Sequence, residues 1–366
     1  MRSWVEVSLG RIRANYRAVY AVVGPSVEIM PVVKADAYRH GAVAIAHALE
    51  NEGATWFAVS NVEEGVALRG AGVSARILVM ADSLLGDRSA YEEFRLTPVV
   101  HSLEDIPAAR VPYHLKLDTG MSRLGTRAPV DQIAAAVRAH SVEHSVELEG
   151  LMTHFASAAD YEGPYTDQQV ANFEHTISGL GQLGIQPRYT HASASTPVAY
   201  GRRTAWGNLV RPGHAIYGYV SSTRGEAPAP LLEVLPALTW KVAVLAVKEL
   251  EPGARIGYGG MHQAQERMRV AVLAAGYADG IPHRLGNRGN AIVNRKLVPI
   301  VGAVSMDLTT IDVTSCPELK PGDAVMLLGS EGEVHIDAQQ MAKLAGTISY
   351  SVLCGIHARV KRVYVD

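Results

Sequence analysis

The sequence lacks the features that mark several classes of protein: it has few cysteines, no long apolar run and almost no net charge. Cys316 and Cys354 are the only cysteines in 366 residues, too few for a disulfide framework, which fits a reducing cytoplasm. No apolar run reaches the roughly 20 residues of a membrane span, and the amphipathic N-terminal segment does not match a secretory signal. The formal net charge is -2 without a basic stripe, so we expect neither nucleic acid nor a membrane as a partner.

What the sequence does contain is a normal globular mixture, with 48% hydrophobic and 19% charged residues, in a chain long enough for two domains. In the first part, short apolar runs alternate with helical stretches such as 42–50, 62–69, 130–140 and 167–183, as expected for β/α units. Eight such units predict a TIM-type (β/α)8 barrel, although a doubly wound open sheet would alternate in the same way. The predicted strands are residues 27–35, 56–61, 76–80, 96–102, 113–118, 146–155, 188–193 and 208–217.

The pattern changes after Tyr219. Residues 221–230 are rich in Ser, Pro, Ala and Gly, which indicates a linker. Beyond them, short β-rich runs are separated by turn pairs such as Pro252–Gly253 and Pro321–Gly322, and one helical stretch covers 336–345. We therefore predict an α/β fold with an N-terminal TIM-type (β/α)8 barrel and a C-terminal, mainly antiparallel β domain. The predicted limits are 9–229 for the barrel and 230–366, with residues 1–8, for the β domain.

Lys34 follows the first predicted strand, in the segment Val32–Tyr38 (VVKADAY). In a barrel this position lies at the C-terminal rim, where active sites form. A lysine there can form a Schiff base, although an isolated lysine at a strand end more often simply extends into solvent. The segment resembles the cofactor-lysine motif VVKANAYGHG of the alanine racemases, with Asp36 in place of the usual Asn and Arg39 in place of Gly.

Further motifs follow in the order of that family and extend the resemblance over most of the chain. The segment 116–125 (KLDTGMSRLG) is similar to the family's DTGMGRLG motif, and Thr153–Phe155 is similar to its THF motif. Each motif is weak alone, but the ordered set is specific. The family's fold is a barrel that binds pyridoxal phosphate, followed by a β domain, in agreement with the pattern above. The other matching segments are 4–7, 191–195, 210–213, 257–259, 276–280, 305–307 and 350–359.

The resemblance implies racemisation of alanine with pyridoxal 5'-phosphate as the cofactor. In an external aldimine the cofactor is the electron sink for the carbanion, and acid/base groups are needed on both faces of Cα. The family motifs imply Lys34 on the face of the D-isomer and Tyr258 of the partner subunit on the face of the L-isomer. His154 is implied as the hydrogen-bonding relay to that tyrosine, and the shared site implies a homodimer. Without the resemblance, the tyrosine would be interpreted as a turn residue and His154 as a structural histidine.

Three cationic side chains are implied to support the cofactor and the substrate. Arg211 matches the arginine that donates to the pyridine nitrogen. Because a guanidinium keeps its proton near neutral pH, the ring should remain a mild electron sink with few side reactions. Arg123 matches the arginine near the cofactor phenolate and the substrate carboxylate. Lys116 matches a lysine that is often carbamylated in the family, and the resulting anion would orient Arg123. A phosphate-binding or structural role is the alternative for Arg211.

The remaining site residues are implied to bind the cofactor phosphate and to narrow the substrate pocket. Ser195 matches a phosphate ligand, although a serine here is also suited to cap the following helix. Met306 matches a residue whose backbone contacts the substrate carboxylate and, like the tyrosine base, reaches into the partner's site. Tyr277 matches part of the narrow entrance that favours alanine and permits weak activity on serine. The other cofactor-binding matches are Tyr38, His154, Gly213, the backbone of His214, and Tyr350, which also narrows the methyl pocket.

Related functions of the same architecture stay open on the sequence alone. A broad-spectrum or serine racemase would carry the same motifs, and Ala194, His214 and Ser305 depart from the family within the implied site. A decarboxylase is disfavoured because Ser305–Asp307 stands where those enzymes carry Cys-Asp and because Tyr258 is present. A non-catalytic carrier of pyridoxal phosphate would lack the β domain. We therefore expect a cytoplasmic, homodimeric alanine racemase without a metal site that supplies D-alanine for peptidoglycan, although the sequence does not separate supply of D-alanine from its degradation.

Overall fold

The computed structural model describes residues 1–82 and 89–366. Contacts between Cα atoms divide the chain into two compact units, which we call the barrel unit and the sheet unit. The barrel unit is Ile12–Ala37 and Ala42–Leu235, and the sheet unit is Met1–Arg11, Tyr38–Gly41 and Pro236–Asp366. The first strand of the chain, β1 (Ser3–Ser8), therefore belongs to the sheet unit.

The centre of the barrel unit is a ring of parallel strands. They are β2 (Glu28–Ile29), β3 (Trp56–Val59), β4 (Arg76–Val79), β5 (Leu96–Val100), β6 (Tyr113–Lys116), β7 (Leu148–Met152), β8 (Tyr189–His191) and β9 (Leu209–Val210). β3 to β8 pair in chain order, and β2 pairs in parallel with β9. A bridge from Val32 to Ala58 joins the chain after β2 to β3, and the amide of Asn208 donates to the oxygen of Thr190 in β8 (3.1 Å). The ring is therefore closed, which confirms the predicted barrel over an open doubly wound sheet.

Burial explains why these segments are strands and why helices cover them. All side chains of β3 and of β5 are buried, as expected for parallel strands that are covered on both faces. The helix Val130–His144 buries Ile133, Ala134 and Val137, so its apolar stripe has helical spacing. The helices of this part of the chain are α1 (Leu9–Val23), α2 (Lys34–Tyr38), α3 (Ala42–Glu50), α4 (Val62–Gly70), α5 (Ser89–Glu93), α6 (Val130–His144), α7 (Tyr165–Gln182) and α8 (Ser195–Ala199).

The chain leaves the first barrel strand earlier than the apolar run 27–35 predicts. β2 ends at Ile29, and Lys34 begins α2. α2 is a left-handed turn, since all three residues of Ala35–Ala37 have a φ of 53°. The predicted strand is therefore wrong at its C-terminal end, because an apolar run carries no sign of a reversed backbone.

The sheet unit contains one large, mainly antiparallel sheet. The strands that follow the barrel unit in the chain are β10 (Leu238–Leu250), β11 (Arg255–Ile256), β12 (His262–Gln263), β13 (Met268–Leu273), β14 (Asn290–Val293), β15 (Lys296–Pro299), β16 (Thr309–Asp312), β17 (Ala324–Glu331), β18 (Val334–Ile336) and β19 (Lys361–Val365). Among them, β11 and β12 form a separate hairpin, and the others belong to the large sheet together with β1. The long β10 pairs antiparallel with β1, β13 and β17. β1 lies between β10 and β19 and runs parallel to β19. The predicted antiparallel β domain is therefore confirmed.

Two helices complete the sheet unit: α9 (Ala338–Ala345) and α10 (Ser349–Gly355). Asp337 and Gln340 form a reciprocal capping box at the start of α9, and Gly346 ends it with a φ of 66°, a conformation that glycine adopts without steric cost. Among residues 1–82 and 89–366, no helix combines the length and the apolarity that crossing a membrane requires.

Candidate active site

Lys34 lies at the mouth of the barrel unit, at the start of the left-handed turn. The five residues that follow, 35–39, have φ values between 52° and 65°, and none of them is glycine. A non-glycine residue in this conformation costs roughly 1–2 kcal/mol, so the turn persists only because its surroundings hold it. Strain of this kind concentrates at functional sites, and it draws attention to Lys34 independently of the sequence motif.

Two carboxylates hold this turn. The amide of Ala35 donates to Oε1 of Glu64 (2.6 Å), and the amide of Ser60, just after β3, donates to Oε2 of the same side chain (2.7 Å). The amide of Ala42 donates to Oδ1 of Asp36 (2.8 Å). An asparagine at position 36 would offer the same acceptor, so the departure from the family motif preserves this contact.

Cationic side chains gather around His154, which follows β7. They are Arg211, Lys116, Arg123 and Lys34, and after burial they are the causes that lower the pKa of His154 to about 3. The imidazole is therefore neutral at physiological pH. Lys116, the last residue of β6, is only 6% exposed. Burial, followed by the charges of Arg211 and Arg123, lowers its pKa to about 8. The site carries a concentration of positive charge that suits an anionic ligand.

Arg211 follows β9 and is 2% exposed. Its Nη1 donates to Nδ1 and to the carbonyl oxygen of His191 (both 2.8 Å), and its Nη2 donates to the carbonyl oxygens of Thr153 (2.7 Å) and Ala192 (3.1 Å). These bonds use all the Nη hydrogens, so among the contacts of the described residues the Nε–H is the donor that remains for a ligand. Burial lowers the pKa of Arg211 to about 9, so the guanidinium is still charged at neutral pH.

A chain of polar side chains continues from Arg211 through the barrel interior, and no sequence motif marks it. Because arginine only donates, Nδ1 of His191 accepts, which leaves the proton of the neutral ring on Nε2. That Nε2 donates to Nδ1 of His114 (2.7 Å), so the Nε2–H of His114 faces Glu149 at 3.6 Å. Glu149 in turn accepts from both Nη atoms of Arg76 (2.7 and 2.6 Å). From Arg211 to Glu149 every donor therefore points away from Arg211, and Glu149 is the acceptor at which this series meets the hydrogen bonds from Arg76.

Burial and packing fix this chain of side chains. His114 and His191 have no exposed surface, and burial is the first cause that lowers the pKa of each. Burial opposes ionisation of Glu149, but the nearby Nε2 of His114 and the hydrogen bonds from Arg76 lower its pKa to about 2. Gly150 provides room for the imidazole of His114, since a Cβ at this position would lie 2.6 Å from Nδ1 of that ring. The sequence thus places a glycine where the ring needs space.

Three of the residues expected to bind phosphate, Ser195, Gly213 and His214, are neighbours beside α8. Ser195 begins this helix, while the preceding Ala194 is the N-cap and makes no side-chain capping bond, so the alternative of Ser195 as a cap is wrong. Its Oγ accepts from the amides of Gly213 (3.2 Å) and Ala215 (3.0 Å). Ser195 and His214 are both buried. The two amides fix the hydroxyl oxygen, so the O–H of Ser195 is the donor that can serve a phosphate group here.

The other predicted site residues belong to the sheet unit. The rings of Tyr38 and Tyr350 lie 5.9 Å apart, and burial raises the pKa of Tyr38. Tyr277 lies in a turn whose next amide donates to the oxygen of Met306 (3.0 Å), so these two residues are brought together. Tyr258 lies in a short turn with Gly259 and is 78% exposed. The sheet unit therefore carries two pairs of neighbouring site residues, Tyr38 with Tyr350 and Tyr277 with Met306. Tyr258 is separate from both pairs and exposed.

Comparison with known proteins covers both parts of the chain. Residues 7–221 match the sequence model described as alanine racemase, N-terminal domain, and residues 237–364 match that of the alanine racemase C-terminal domain. Among curated relatives, the alanine racemase of Halothermothrix orenii is 36% identical over 371 residues, which cover 99% of this chain and 96% of the relative. The alanine racemase of Sorangium cellulosum is 38% identical over 378 residues, which cover 98% of both chains.

Solved structures give the same result. Alanine racemase from the D-cycloserine-producing Streptomyces lavendulae is 30% identical and has a TM-score of 0.92, covering 100% of this chain and 97% of that one. Alanine racemase from Bacillus anthracis, solved with bound L-Ala-P, is 32% identical and has a TM-score of 0.91, covering 100% of this chain and 95% of that one. With both domains matched and relatives similar over their full lengths, this chain belongs to the alanine racemase family.

Proposed function

We propose that this protein interconverts L-alanine and D-alanine, with pyridoxal phosphate held on Lys34. The observation that carries the proposal is the group of cations around a neutral His154, together with the strained turn of Lys34 in the same barrel mouth. Membership of the alanine racemase family supports alanine as the substrate. The role we propose for the product, D-alanine, is the supply of peptidoglycan precursors.

The described residues fit the chemistry of pyridoxal phosphate. The phosphate is anionic and matches the positive charge of the site. Because the Oγ of Ser195 accepts from the amides of Gly213 and Ala215, the hydroxyl of Ser195 can donate its proton to the phosphate. Arg211 offers its Nε–H to the ring nitrogen, and with a pKa of about 9 it keeps that proton at neutral pH. When bound, the cofactor supplies a conjugated ring that delocalises the electron pair released when the Cα–H bond breaks.

Two side chains are proposed to move the Cα proton on opposite faces of the substrate. Nζ of Lys34 serves the face of the D-isomer, and the phenol oxygen of Tyr258 serves the face of the L-isomer. The 78% exposure of Tyr258 in the single chain supports a homodimer in which each subunit lends this residue to its partner. Nδ1 of His154 faces Nη2 of Arg211 at 3.5 Å, so the other nitrogen of this neutral ring is suited to form a hydrogen bond with the phenol oxygen and to orient it.

We further propose that Lys116 carries a carbamate. Only a neutral amine attacks carbon dioxide, and the lowered pKa of about 8 gives Lys116 a neutral fraction near pH 7. The reaction forms an N–C bond, releases one proton to solvent and leaves an anion. That anion would lie among Arg123 and Arg211 and offset their charge, and it would orient Arg123 towards the carboxylate of the amino acid.

Selection of a small side chain is proposed to depend on Tyr277 and Met306. Both are exposed in the single chain, and the backbone bond between their segments supports their acting as one edge of the partner's pocket. A narrow pocket of this kind accepts a methyl group and rejects larger side chains only moderately, so weak activity on serine is expected. Tyr38 and Tyr350, whose rings are neighbours, are proposed as further contacts of the cofactor.

The substrate is tested by turnover of L-alanine, L-serine and L-lysine with added pyridoxal phosphate, followed by chiral chromatography. Fast formation of D-alanine with little of the other D-isomers is expected. Comparable rates would keep the reaction and replace the substrate with a broader set, and release of carbon dioxide would overturn the reaction class.

Lys34→Ala should abolish turnover and the visible absorbance of the bound cofactor. Lys320→Ala, at an exposed lysine of the sheet unit, is the matched control and should change neither.

The assignment of the second base is tested with Tyr258→Ala. Exchange of solvent deuterium into L-alanine should fall further than exchange into D-alanine, because only one face of Cα loses its acid/base group. Equal losses for the two isomers would refute the two-base assignment. Sedimentation of the wild-type protein as a monomer at assay concentrations would refute the shared site.

A further inference from the structure

The turn after Lys34 has a backbone conformation that L-residues disfavour. Residues 35–39 form the longest run of non-glycine residues with positive φ in the part of the chain that the structure describes. L-residues favour right-handed or extended backbone, so an untied turn would relax, and the direction of the Lys34 side chain would change with it. The first amide of the turn, that of Ala35, is bound by the carboxylate of Glu64.

We propose that Glu64 is a positioning residue for Lys34, and this inference rests on the proposed role of Lys34 as the cofactor lysine. Both carboxylate oxygens are used: Oε1 accepts from the amide of Ala35 (2.6 Å), and Oε2 accepts from the amide of Ser60 (2.7 Å). Ser60 directly follows β3. Glu64 therefore fastens the lysine turn to the rim of the barrel through two short, charge-assisted hydrogen bonds.

The position of Glu64 is itself fixed by the helix that carries it. It lies in the first turn of α4, and its amide donates to Oδ1 of the N-cap residue Asn61 (3.0 Å). A glutamate at this site usually reaches back to the amide of the N-cap residue and completes a capping box. Here the carboxylate instead accepts from Ser60, one residue earlier, and from the lysine turn. Stabilisation of α4 alone does not explain this choice of partners.

The experiment compares Glu64→Gln with the matched control Glu63→Gln in the full-length protein loaded with pyridoxal phosphate. Glutamine keeps the shape of the side chain but has one acceptor oxygen, so either Ala35 or Ser60 then faces an NH2 group. Glu63 is the preceding residue of the same helix, and it is exposed. Three quantities are measured: hydrogen exchange of the peptides that contain residues 35 and 60, the rate at which borohydride fixes the cofactor on Lys34, and kcat and KM for L-alanine.

For Glu64→Gln we expect hydrogen exchange to be about tenfold faster at the amide of Ala35, of Ser60 or of both, because a charge-assisted hydrogen bond is lost. Fixation of the cofactor on Lys34 should be slower, and kcat should fall with little change in KM. Glu63→Gln should match the wild type in every measurement. Wild-type exchange and fixation rates in Glu64→Gln, or equal changes in both variants, would overturn the inference. A lower melting temperature with unchanged fixation would also overturn it, since that result describes a purely structural residue.

The test separates this inference from the proposed function. If borohydride fixes no cofactor on Lys34 even in the wild type, the proposed function fails, while the exchange rates still decide whether Glu64 holds the turn. Glu64→Ala is the second variant and removes both acceptors. It should show larger changes than Glu64→Gln in all three measurements, and smaller changes would contradict the argument from two oxygens.

Discussion

Replacement of Lys116 by methionine should stabilise the cofactor-free protein, although it removes a side chain from the proposed site. Burial, followed by Arg211 and Arg123, lowers the pKa of Lys116 from 10.5 to about 8. Because the folded state binds this proton more weakly than the unfolded state does, the charge costs about 3 kcal/mol of stability below pH 8. The cost disappears as the pH rises from about 8 towards 10.5. Methionine has a similar length and no charge, so Lys116→Met should gain about 1–3 kcal/mol at pH 7.

Urea unfolding at pH 7, in buffer depleted of carbon dioxide and in buffer with bicarbonate, measures this effect. In the depleted buffer the variant should be the more stable protein. Bicarbonate should stabilise the wild type, because the carbamate replaces a buried cation by an anion among arginines, and it should leave Lys116→Met unchanged. A variant that is less stable in depleted buffer would refute the reasoning, since the charge would then be compensated. Equal effects of bicarbonate on both proteins would refute the carbamate.

Three further predictions concern the polar interior and the sheet unit. The pKa of Glu149 lies at about 2, below its usual 4.5, so Glu149→Gln should lower the free energy of unfolding by about 2–3 kcal/mol at pH 7. This loss should shrink as the pH falls from 4.5 towards 2. A loss that urea unfolding finds to be constant over this range would argue against ionisation as the cause. Gly150→Ala places a Cβ 2.6 Å from the ring of His114 and should cost about 1–3 kcal/mol, and a second change, His114→Ala, should recover part of that loss; strictly additive losses would contradict the clash. Asp279→Ala removes the acceptor that closes the turn of Tyr277, so KM for L-alanine should rise more than kcat falls; steady-state kinetics with an unchanged KM would show that this turn does not shape the pocket.

Much of the fold follows from the sequence because burial and periodicity act locally. The helix predicted at 42–50 has the limits of α3, and the strand predicted at 76–80 differs from β4 by one residue. The lysine turn could not be predicted in this way. Four of its five residues are of types that rarely adopt left-handed backbone, and one of the contacts that hold it comes from Glu64, 29 residues further along the chain. The domain limits at 8/9 and 229/230 stay predictions.

The candidate site was predicted where a motif marks it and missed where only packing does. The motif led to Lys116, but not to His114, two positions earlier in β6. Residues separated by two in a strand point to the same face, so an interior Lys116 implies an interior His114. That rule would have found the histidine. It would not have found its partner, because the bond between His114 and His191 joins β6 to β8 across the barrel interior, and one-dimensional periodicity contains no such distance.

The position of β1 has a consequence for the order in which the protein folds. Trp4 in β1 pairs with Lys241 in β10 and with Lys361 in β19, so the ribosome releases β1 long before either neighbour exists. At about 5–20 residues per second, the strand waits roughly 10–70 seconds for its partners, and during that time its backbone edges are open to chaperones and to other nascent chains. Removal of a few N-terminal residues would therefore disrupt the pairing of a sheet whose other strands are encoded hundreds of codons downstream.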